Sequence, residues 1–147
     1  MIVEDAAASL SQEIMAKIFP GDIKQKGQDM AGVYLYLYCI ENSLRLFIET
    51  VGKSALGERY FDKLTISRSA RDRIADRKAD AAKKKWLPAR GDSDIFYLDF
   101  DDLGSIIRNN WNLFSPFFPD LNWIAAKIDE LSGCQTNWGH RQLTREN

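Results

Sequence analysis

The sequence has few of the residues from which catalytic and metal sites are usually built. Its 147 residues include one histidine, His140, and two cysteines, Cys39 and Cys134. Two cysteines give neither a disulfide framework nor the paired spacing of a zinc site, and one histidine cannot complete such a site. We therefore expect no metal and no cofactor. Histidine is the default residue for proton transfer near neutral pH, so a catalytic site would be expected at His140.

Long apolar runs and phosphate-binding loops are also missing. No uninterrupted apolar stretch approaches the roughly 20 residues that a membrane span needs. Met1 leads into Glu4 and Asp5 instead of the basic and apolar segments of a signal peptide. The Gly52-Lys53-Ser54 tripeptide lacks the upstream glycine of a nucleotide-binding loop and instead predicts the end of a helix. These absences predict a cytoplasmic protein without a membrane segment.

The composition is that of a globular domain. Hydrophobic residues make up 45% and charged residues 28% of the chain, which predicts one domain over residues 1–147. Eight Phe, five Tyr and four Trp predict a core or an interface built on aromatic rings. Residues 142–147 read like the start of another helical turn, so we expect the N-terminal domain of a longer protein.

Apolar residues recur at helical spacing, and no stretch alternates strands with helices. The pattern predicts an all-α fold, an antiparallel bundle of about five helices. The expected helices cover residues 1–19, 33–51 and 66–86, then run from Asp101 or Asp102 to Pro116, and from Asp120 to Gly133. Segment 33–51 has the strongest apolar pattern and is predicted to be a long buried helix.

The segments between these helices are predicted to be connections. Pro20-Gly21 should end the first helix, and residues 22–32 read as a polar connection. A short helical turn is expected at Tyr60, Phe61 and Leu64, and a short extended piece at residues 95–98. The helix over 66–86 is thin in apolar residues, so we expect it to project or to be mobile.

The net charge of −1 hides a strong asymmetry. The segment Arg68–Arg90 carries nine Lys or Arg and three Asp, whereas residues 91–130 carry eight acidic residues and only Arg108 and Lys127. The two segments are either two solvated faces or a phosphate-binding surface opposite an acidic one. The candidate nucleic-acid-binding residues are Arg71, Arg77, Lys78, Lys83, Lys84 and Lys85.

Three stretches carry a resemblance to a known family. Tyr38–Ile48 holds Glu41 and Arg45 one helical turn apart, Tyr97–Ile107 precedes Trp111 and Phe114, and Trp123 leads to His140 and Thr144. Together they resemble the HEPN (higher eukaryotes and prokaryotes nucleotide-binding) superfamily, and in particular the subtype attached to a transcript-surveillance endonuclease. The resemblance spans roughly Tyr34 to the end and implies an all-helical, dimeric domain from a bacterial or phage defence or toxin-type system.

The family signature is an arginine, usually followed by asparagine, a few residues before a histidine. In active members two such pairs meet across a homodimer and cleave RNA without metal. His140 fits the signature and Asn137 can stand for its asparagine, but Gln135 or Thr136 stands where the arginine belongs. The resemblance implies a nuclease-like site with a degenerate motif, whose candidate catalytic residues are His140, Asn137, Arg141, Arg45 and Glu41.

Three functions remain open at this point. The first is an RNA-associated HEPN domain with a nuclease-like site, in which Arg45 or Arg141 can stand in for the absent arginine. Its metal-independent endoribonuclease activity is expected to be weak or absent in the chain as given. The second is a non-enzymatic HEPN module for dimerisation or sensing, and the third is an unrelated helical protein-binding module. Glu41 and Arg45 could also form a simple intrahelical ion pair. The expected partners are a second copy through Tyr34, Tyr38, Trp138 and the segment around His140, RNA, and an antitoxin or fused effector domain.

Overall fold

The computed structural model describes residues 2–86 and 93–141, with side chains left out at 2–5, 7–8, 15–16 and 136–141. The described residues are helical with turns and contain no strand, so the predicted all-α class is confirmed. They form seven α-helices: α1 Ile2–Ile18, α2 Gly21–Leu56, α3 Tyr60–Lys63, α4 Arg68–Lys83, α5 Phe100–Asn109, α6 Trp111–Phe114 and α7 Leu121–Arg141. Two 3₁₀ helices lie at Asp94–Tyr97 and Ser115–Phe117.

The chain divides into two compact units, Met1–Leu37 and Tyr38–Asn147, and the division falls inside α2. We call them the N-terminal unit and the C-terminal unit. In the N-terminal unit, Leu37 is the one buried residue among the side chains that the structure describes. The C-terminal unit has an apolar core, whose most deeply buried members are Ile48, Ile95, Leu98, Phe100, Leu103, Ile106, Ile107 and Phe114.

The junction of α1 and α2 differs from the prediction. Pro20-Gly21 ends α1 as expected, but residues 22–32 are helical and not a connection. The reason is that proline is tolerated at the start of a helix, where its missing N–H would have no partner anyway. The carbonyl of Pro20 accepts the N–H of Lys24 at 3.0 Å, which is the first bond of the new helix. The proline therefore separates two helices and does not begin a loop.

The predicted helix over 33–51 is confirmed as a helix, but it is buried only in part. Tyr34 and Tyr36 are 70% and 73% exposed, whereas Ile48 is fully buried. The predicted helix end at Gly52 is also wrong, since Gly52 lies inside the helix. Its place is explained by the ring of Tyr60, which leaves no space for a side chain there. The helix continues to Leu56, and Gly57, with φ of +88°, provides the left-handed residue that ends it.

Helix α4 lies within the predicted span and is anchored instead of projecting. The Ser67 hydroxyl accepts the N–H of Ala70 at 3.2 Å and so caps the first turn. Ala70 and Ile74 are buried and form the narrow apolar stripe that the sequence indicated. Ion pairs to the segment after Ser93 add to this packing, and they explain why a helix with so few apolar residues does not project.

The segment 95–98 is a 3₁₀ helix and not an extended piece. The next helix is capped by Asp99, whose carboxylate accepts the N–H of Asp102 at 3.2 Å, and not by Asp101 or Asp102. That helix does not reach Pro116, because α5 ends at Asn109. The buried side chain of Asn110 donates to the carbonyls of Ile106 and Thr65 and accepts the N–H of Thr65.

The predicted cap of the last helix is confirmed. Asp120 accepts the N–H of Trp123 at 2.8 Å. Helix α7 packs on α5 at a close approach, since a Cβ on Gly104 would lie 2.8 Å from Cγ2 of Ile128. The predicted stop at Gly133 is wrong, because the helix runs on to Arg141. A glycine inside a helix costs only about 1 kcal/mol, which the rest of a long helix readily offsets.

Candidate functional site

Glu41 and Arg45 lie one turn apart on α2 and form an ion pair, which confirms the intrahelical pair. The Arg45 guanidinium also donates to the Asn42 amide oxygen at 3.0 Å and to the backbone carbonyl of Leu98. Arg45 is 8% exposed, so this cation lies in the interior of the C-terminal unit. Its contact with Leu98 joins α2 to the residue just before the cap of α5.

Gln135 contacts the same carboxylate from a different helix. Its side-chain nitrogen donates to Oε2 of Glu41 at 2.8 Å and so joins α7 to α2. The carboxylate of Glu41 therefore accepts from a guanidinium through one oxygen and from an amide through the other. We call Glu41, Asn42, Arg45 and Gln135 the Glu41 cluster. Gln135 is one of the two positions, with Thr136, where the predicted resemblance would place an arginine.

The geometry of the Glu41 cluster limits its chemistry. A residue that stabilises charge on a phosphate must present donors to the ligand, and arginine does so through its planar fork. The Arg45 fork instead points at protein oxygens, and its charge is balanced by Glu41. A buried, internally balanced arginine does not offer itself to a phosphate, so the cluster is better suited to holding α2, α7 and the start of α5 together.

The other candidate catalytic residues lie at the end of α7. Asn137, His140 and Arg141 belong to its last turns, where Trp138 also lies. Their side chains are outside the described part of the structure, so their predicted roles stay predictions. The contact that the structure does give in this region is that of Gln135 with Glu41.

The cations of α4 fall into two sets, and the first set holds the helix in place. Arg73 pairs with the buried carboxylate of Asp102. Arg77 donates to the carbonyl of Tyr97 and pairs with Asp99 at 3.4 Å. Lys78 pairs with Asp94, and its ammonium lies 5.9 Å from the centre of the Tyr97 ring. We call Arg73, Arg77 and Lys78 the anchoring set.

Two pKa shifts follow from the anchoring set. The hydrogen bond with Asp102 raises the pKa of Arg73, and this effect outweighs its partial burial. Burial by itself would raise the pKa of Asp99, but hydrogen bonds from the Asp102 N–H and the Arg77 guanidinium outweigh it and lower that pKa. Both shifts favour the charged forms and therefore strengthen the attachment of α4.

The second set of cations is exposed. It comprises Arg68 and Arg71 near the start of α4, and Lys83, Lys84 and Lys85 at its end. Of the predicted nucleic-acid-binding residues, Arg77 and the exposed Lys78 thus belong to the anchoring set because they pair with carboxylates. Arg71 and the three lysines are exposed and lie outside that set. We call Lys83, Lys84, Lys85 and the following Trp86 the basic tip. Sequence reasoning missed Trp86, although the run Lys-Lys-Lys-Trp was its signal.

The body of α4 is less basic than its ends. Asp72, Asp76 and Asp80 are exposed and recur every four residues, which places them on one side of the helix. Arg73 and Arg77 meanwhile point to carboxylates of the segment that follows. The charge that α4 offers an anionic ligand therefore lies at its two ends, with Arg68 and Arg71 at the start and three consecutive lysines at the basic tip.

A groove of about 240 Å³ lies between α5 and α7. Its walls carry Asp101, Arg108 and Asp129 beside apolar residues of both helices. Within the residues that the structure describes, no group of His, Cys, Asp and Glu side chains could hold a metal ion. In the same ranges no helix combines the length and the apolar character needed to cross a membrane.

Comparison with known proteins gives no relative. No family model, no curated protein and no solved structure matches this chain. The resemblance to the HEPN superfamily therefore stays a prediction. The Glu41 cluster, the anchoring set and the basic tip are the features of the structure that bear on function.

Proposed function

We propose that this chain is an RNA-associated helical domain of HEPN type that binds RNA through the basic tip and does not cleave it. The observation that carries the proposal is an anchored helix whose last residue, Lys83, is followed directly by two further exposed lysines. Lysines suit the negative end of a helix dipole, which accounts for one of them on structural grounds alone. Three in succession, followed by an exposed indole, are more than a helix end needs.

The attachment of α4 supports binding through its end. Three ion pairs from Arg73, Arg77 and Lys78 fix the helix to the segment that carries Asp94, Asp99 and Asp102. Lys83 is the last residue of the attached helix and Lys84 is its cap, bonded back to Asp80 and Ala81, so the start of the basic tip is held in place before a ligand binds. A group that is already held in place loses less entropy on binding. Lysine contacts recognise phosphates without reading the sequence.

The absence of cleavage follows from the Glu41 cluster. Gln135 stands at a signature position and its amide is held by Glu41, while Arg45 is buried and directed at protein oxygens. Loss of one donor that stabilises transition-state charge commonly reduces a rate about 10²- to 10³-fold. With Gln135 held by Glu41 and Arg45 directed at protein oxygens, Arg141 is the one predicted substitute for the absent arginine that the Glu41 cluster does not account for. We expect the chain to bind RNA and leave it intact.

Binding is tested by reversing the charge of the basic tip. Three phosphate contacts on a single strand predict a salt slope of about −2, so a fourfold rise in salt should weaken binding about 20-fold. The triple change of Lys83, Lys84 and Lys85 to Glu should abolish binding in fluorescence anisotropy. The matched control changes Lys17, Lys24 and Lys26 to Glu, which alters the net charge equally. Equal loss in both variants, or binding unaffected by salt, would contradict the proposal.

Cleavage is tested on RNA in the absence of metal ions. The unmodified chain should leave structured and unstructured RNA intact. Gln135→Arg and, separately, Thr136→Arg test whether a single missing arginine is the reason, with His140→Ala added to each as the control. Cleavage by the unmodified chain that depends on His140 would overturn the non-cleaving part of the proposal and leave the binding part standing.

A second candidate function, a self-association module, is favoured by the N-terminal unit. Its exposed apolar side chains include Leu10, Ile14, Ile18, Phe19, Ile23, Met30, Tyr34, Leu35 and Tyr36. Met30 and Tyr34 lie one turn apart on α2 and so share one face of the helix. A tyrosine ring can bury about 150–250 Å² of the roughly 800 Å² per partner of a standard interface. Sedimentation at tens of micromolar tests this candidate: a dimer that Leu35→Asp converts to monomer supports it, and a monomeric parent chain removes it.

A further inference from the structure

We propose that Trp86 stacks on an unpaired base of single-stranded RNA while the lysines beside it contact the neighbouring phosphates. The inference rests on the proposed RNA association and names the form of RNA that the basic tip takes. Trp86 is 79% exposed, the highest value among the large apolar side chains that the structure describes. An indole left this open has most of its rings available to a ligand.

Among the residues that the structure describes, Trp86 takes no part in the apolar core. The two other tryptophans with described side chains, Trp111 and Trp123, each stack on Phe118 at 6.3 and 6.4 Å between ring centres. Among the described residues Trp86 has no such ring contact, and it lies beyond the last residue of α4. Its exposure therefore has no explanation in core packing.

The local backbone brings the indole next to the lysines. Lys84 leaves the helical conformation, with φ of −107° and ψ of 59°, and its N–H donates to the carbonyls of Asp80 and Ala81. The chain thus turns at Lys84, and Lys85 and Trp86 follow directly. Surfaces that bind single strands combine cations along the backbone with aromatic rings on which bases stack. The basic tip has both parts within four residues.

A duplex and a membrane surface fit the basic tip less well. In a duplex the bases are stacked on one another and present no open face to an indole. A helix that lies in a membrane surface needs an apolar face of several large side chains. The last turns of α4 offer only Ala79, Ala81 and Ala82 beside the exposed Asp80, so no such face exists there.

The experiment measures binding of the full chain to a fluorescein-labelled uridine 12-mer and to a blunt RNA duplex of equal length. Stacking on one base is worth a loss of about 5- to 150-fold in affinity when the ring is removed. Trp86→Ala should show that loss on the single strand, with an unchanged salt slope and unchanged duplex binding. Trp86→Tyr should keep most of the affinity, because a phenol ring can still stack.

The control is Phe117→Ala, which removes another half-exposed ring, 57% exposed, from a different surface. It should leave binding to the 12-mer unchanged. Equal losses of Trp86→Ala on single strand and duplex, or no loss at all, would overturn the stacking contact and leave the RNA association standing. Absence of RNA binding by the parent chain would overturn both. Binding to vesicles of phosphatidylserine and phosphatidylcholine that requires Trp86, in a chain that ignores the 12-mer, would assign the basic tip to a membrane surface instead.

Discussion

Helix α2 belongs to both compact units, and its fully buried apolar side chain, Ile48, lies in the C-terminal unit, although Leu46 nearby is 52% exposed. In the N-terminal unit Leu35 is 59% exposed, whereas Ile48 in the C-terminal unit is fully buried. Helix α1 repeats the first behaviour, since Leu10 and Ile14 are 61% and 47% exposed despite their regular spacing. Helical periodicity therefore predicts helices in both units. Burial also requires another element that packs on the apolar face, and the sequence pattern does not show which element that is.

The C-terminal unit obtains that second surface from contacts distant in sequence. Gly104 lets α5 and α7 approach closely, and Arg45 ties α2 to the carbonyl of Leu98. The described part of the N-terminal unit has no buried ion pair or close glycine contact of this kind. The two units should therefore respond differently to the same kind of substitution.

The largest difference is expected for apolar truncation. Ile48→Ala removes a fully buried side chain and should lower the free energy of unfolding by about 2–5 kcal/mol through lost burial and the cavity left behind. Leu35→Ala on the same helix should change it by about 0.5 kcal/mol or less at low protein concentration. Urea denaturation followed by circular dichroism measures both. A comparable loss from Leu35→Ala would mean that the N-terminal unit is buried in solution.

A smaller effect is expected from the anchoring set. Asp102 is 4% exposed and accepts two bonds from Arg73, which is itself partly exposed. Asp102→Ala should lower the free energy of unfolding by about 1–3 kcal/mol, since a charged hydrogen bond is lost but Arg73 can turn to water. The exposed neighbour Asp101→Ala is the control and should cost about 0.5 kcal/mol or less. Equal losses of stability would show that the ion pair with Arg73 contributes nothing beyond the effect of a negative charge in the first turn of α5.

Two glycines, one in each unit, extend the comparison, because replacing them by alanine should change the stability in opposite directions. Gly57 has φ of +88°, so Gly57→Ala should destabilise by about 1–2 kcal/mol. Gly27 lies inside α2 with no atom within 4 Å of the position of a Cβ. Gly27→Ala should therefore raise helix stability by about 0.5–1 kcal/mol. Thermal denaturation of the two variants beside the parent chain measures both signs, and a destabilised Gly27→Ala would indicate a neighbour at that surface.

The smallest effect is a pH dependence in the C-terminal unit. The pKa of Asp99 is lowered from its usual 3.8 by the bonds from the Asp102 N–H and Arg77, which outweigh burial. Its contribution to stability is therefore complete above the usual pKa and is lost as pH falls through the lowered one. Asp99→Asn should be less stable than the parent near neutral pH, and the difference should shrink in acid. A difference that stays constant between pH 6 and pH 3 would contradict this assignment.

The parts of the fold that sequence predicted were decided by neighbours along the chain. The cap at Asp120 and the ion pair of Glu41 with Arg45 each involve residues within four positions of one another. The wrong expectations concerned residues whose local signal was overridden. Asp102 reads as a helix cap but is drawn inside to Arg73, 29 positions away. Gly133 reads as a stop, yet the helix continues past it.

The same limit applies to the candidate site, where only the contacts between neighbours along the chain could be predicted. The spacing of Glu41 and Arg45 indicated their pairing, but nothing in the sequence indicated that Gln135 contacts Glu41 across 94 positions. The basic segment was visible as a run of charge. Its division into the anchoring set and the basic tip was not, because that division depends on which carboxylates the segment after Ser93 brings to α4.

The contact of Arg45 with the Leu98 carbonyl also has a consequence for the order of folding. The two residues are 53 positions apart, and closing a chain segment of that length loses entropy that local helical turns do not. Helix α2 can form before the contact exists, so the guanidinium is expected to reach its carbonyl only after the intervening segment has folded back. An interaction completed after the rate-limiting barrier slows unfolding more than it speeds folding. Arg45 would then govern how long the native state persists more than how fast it is reached.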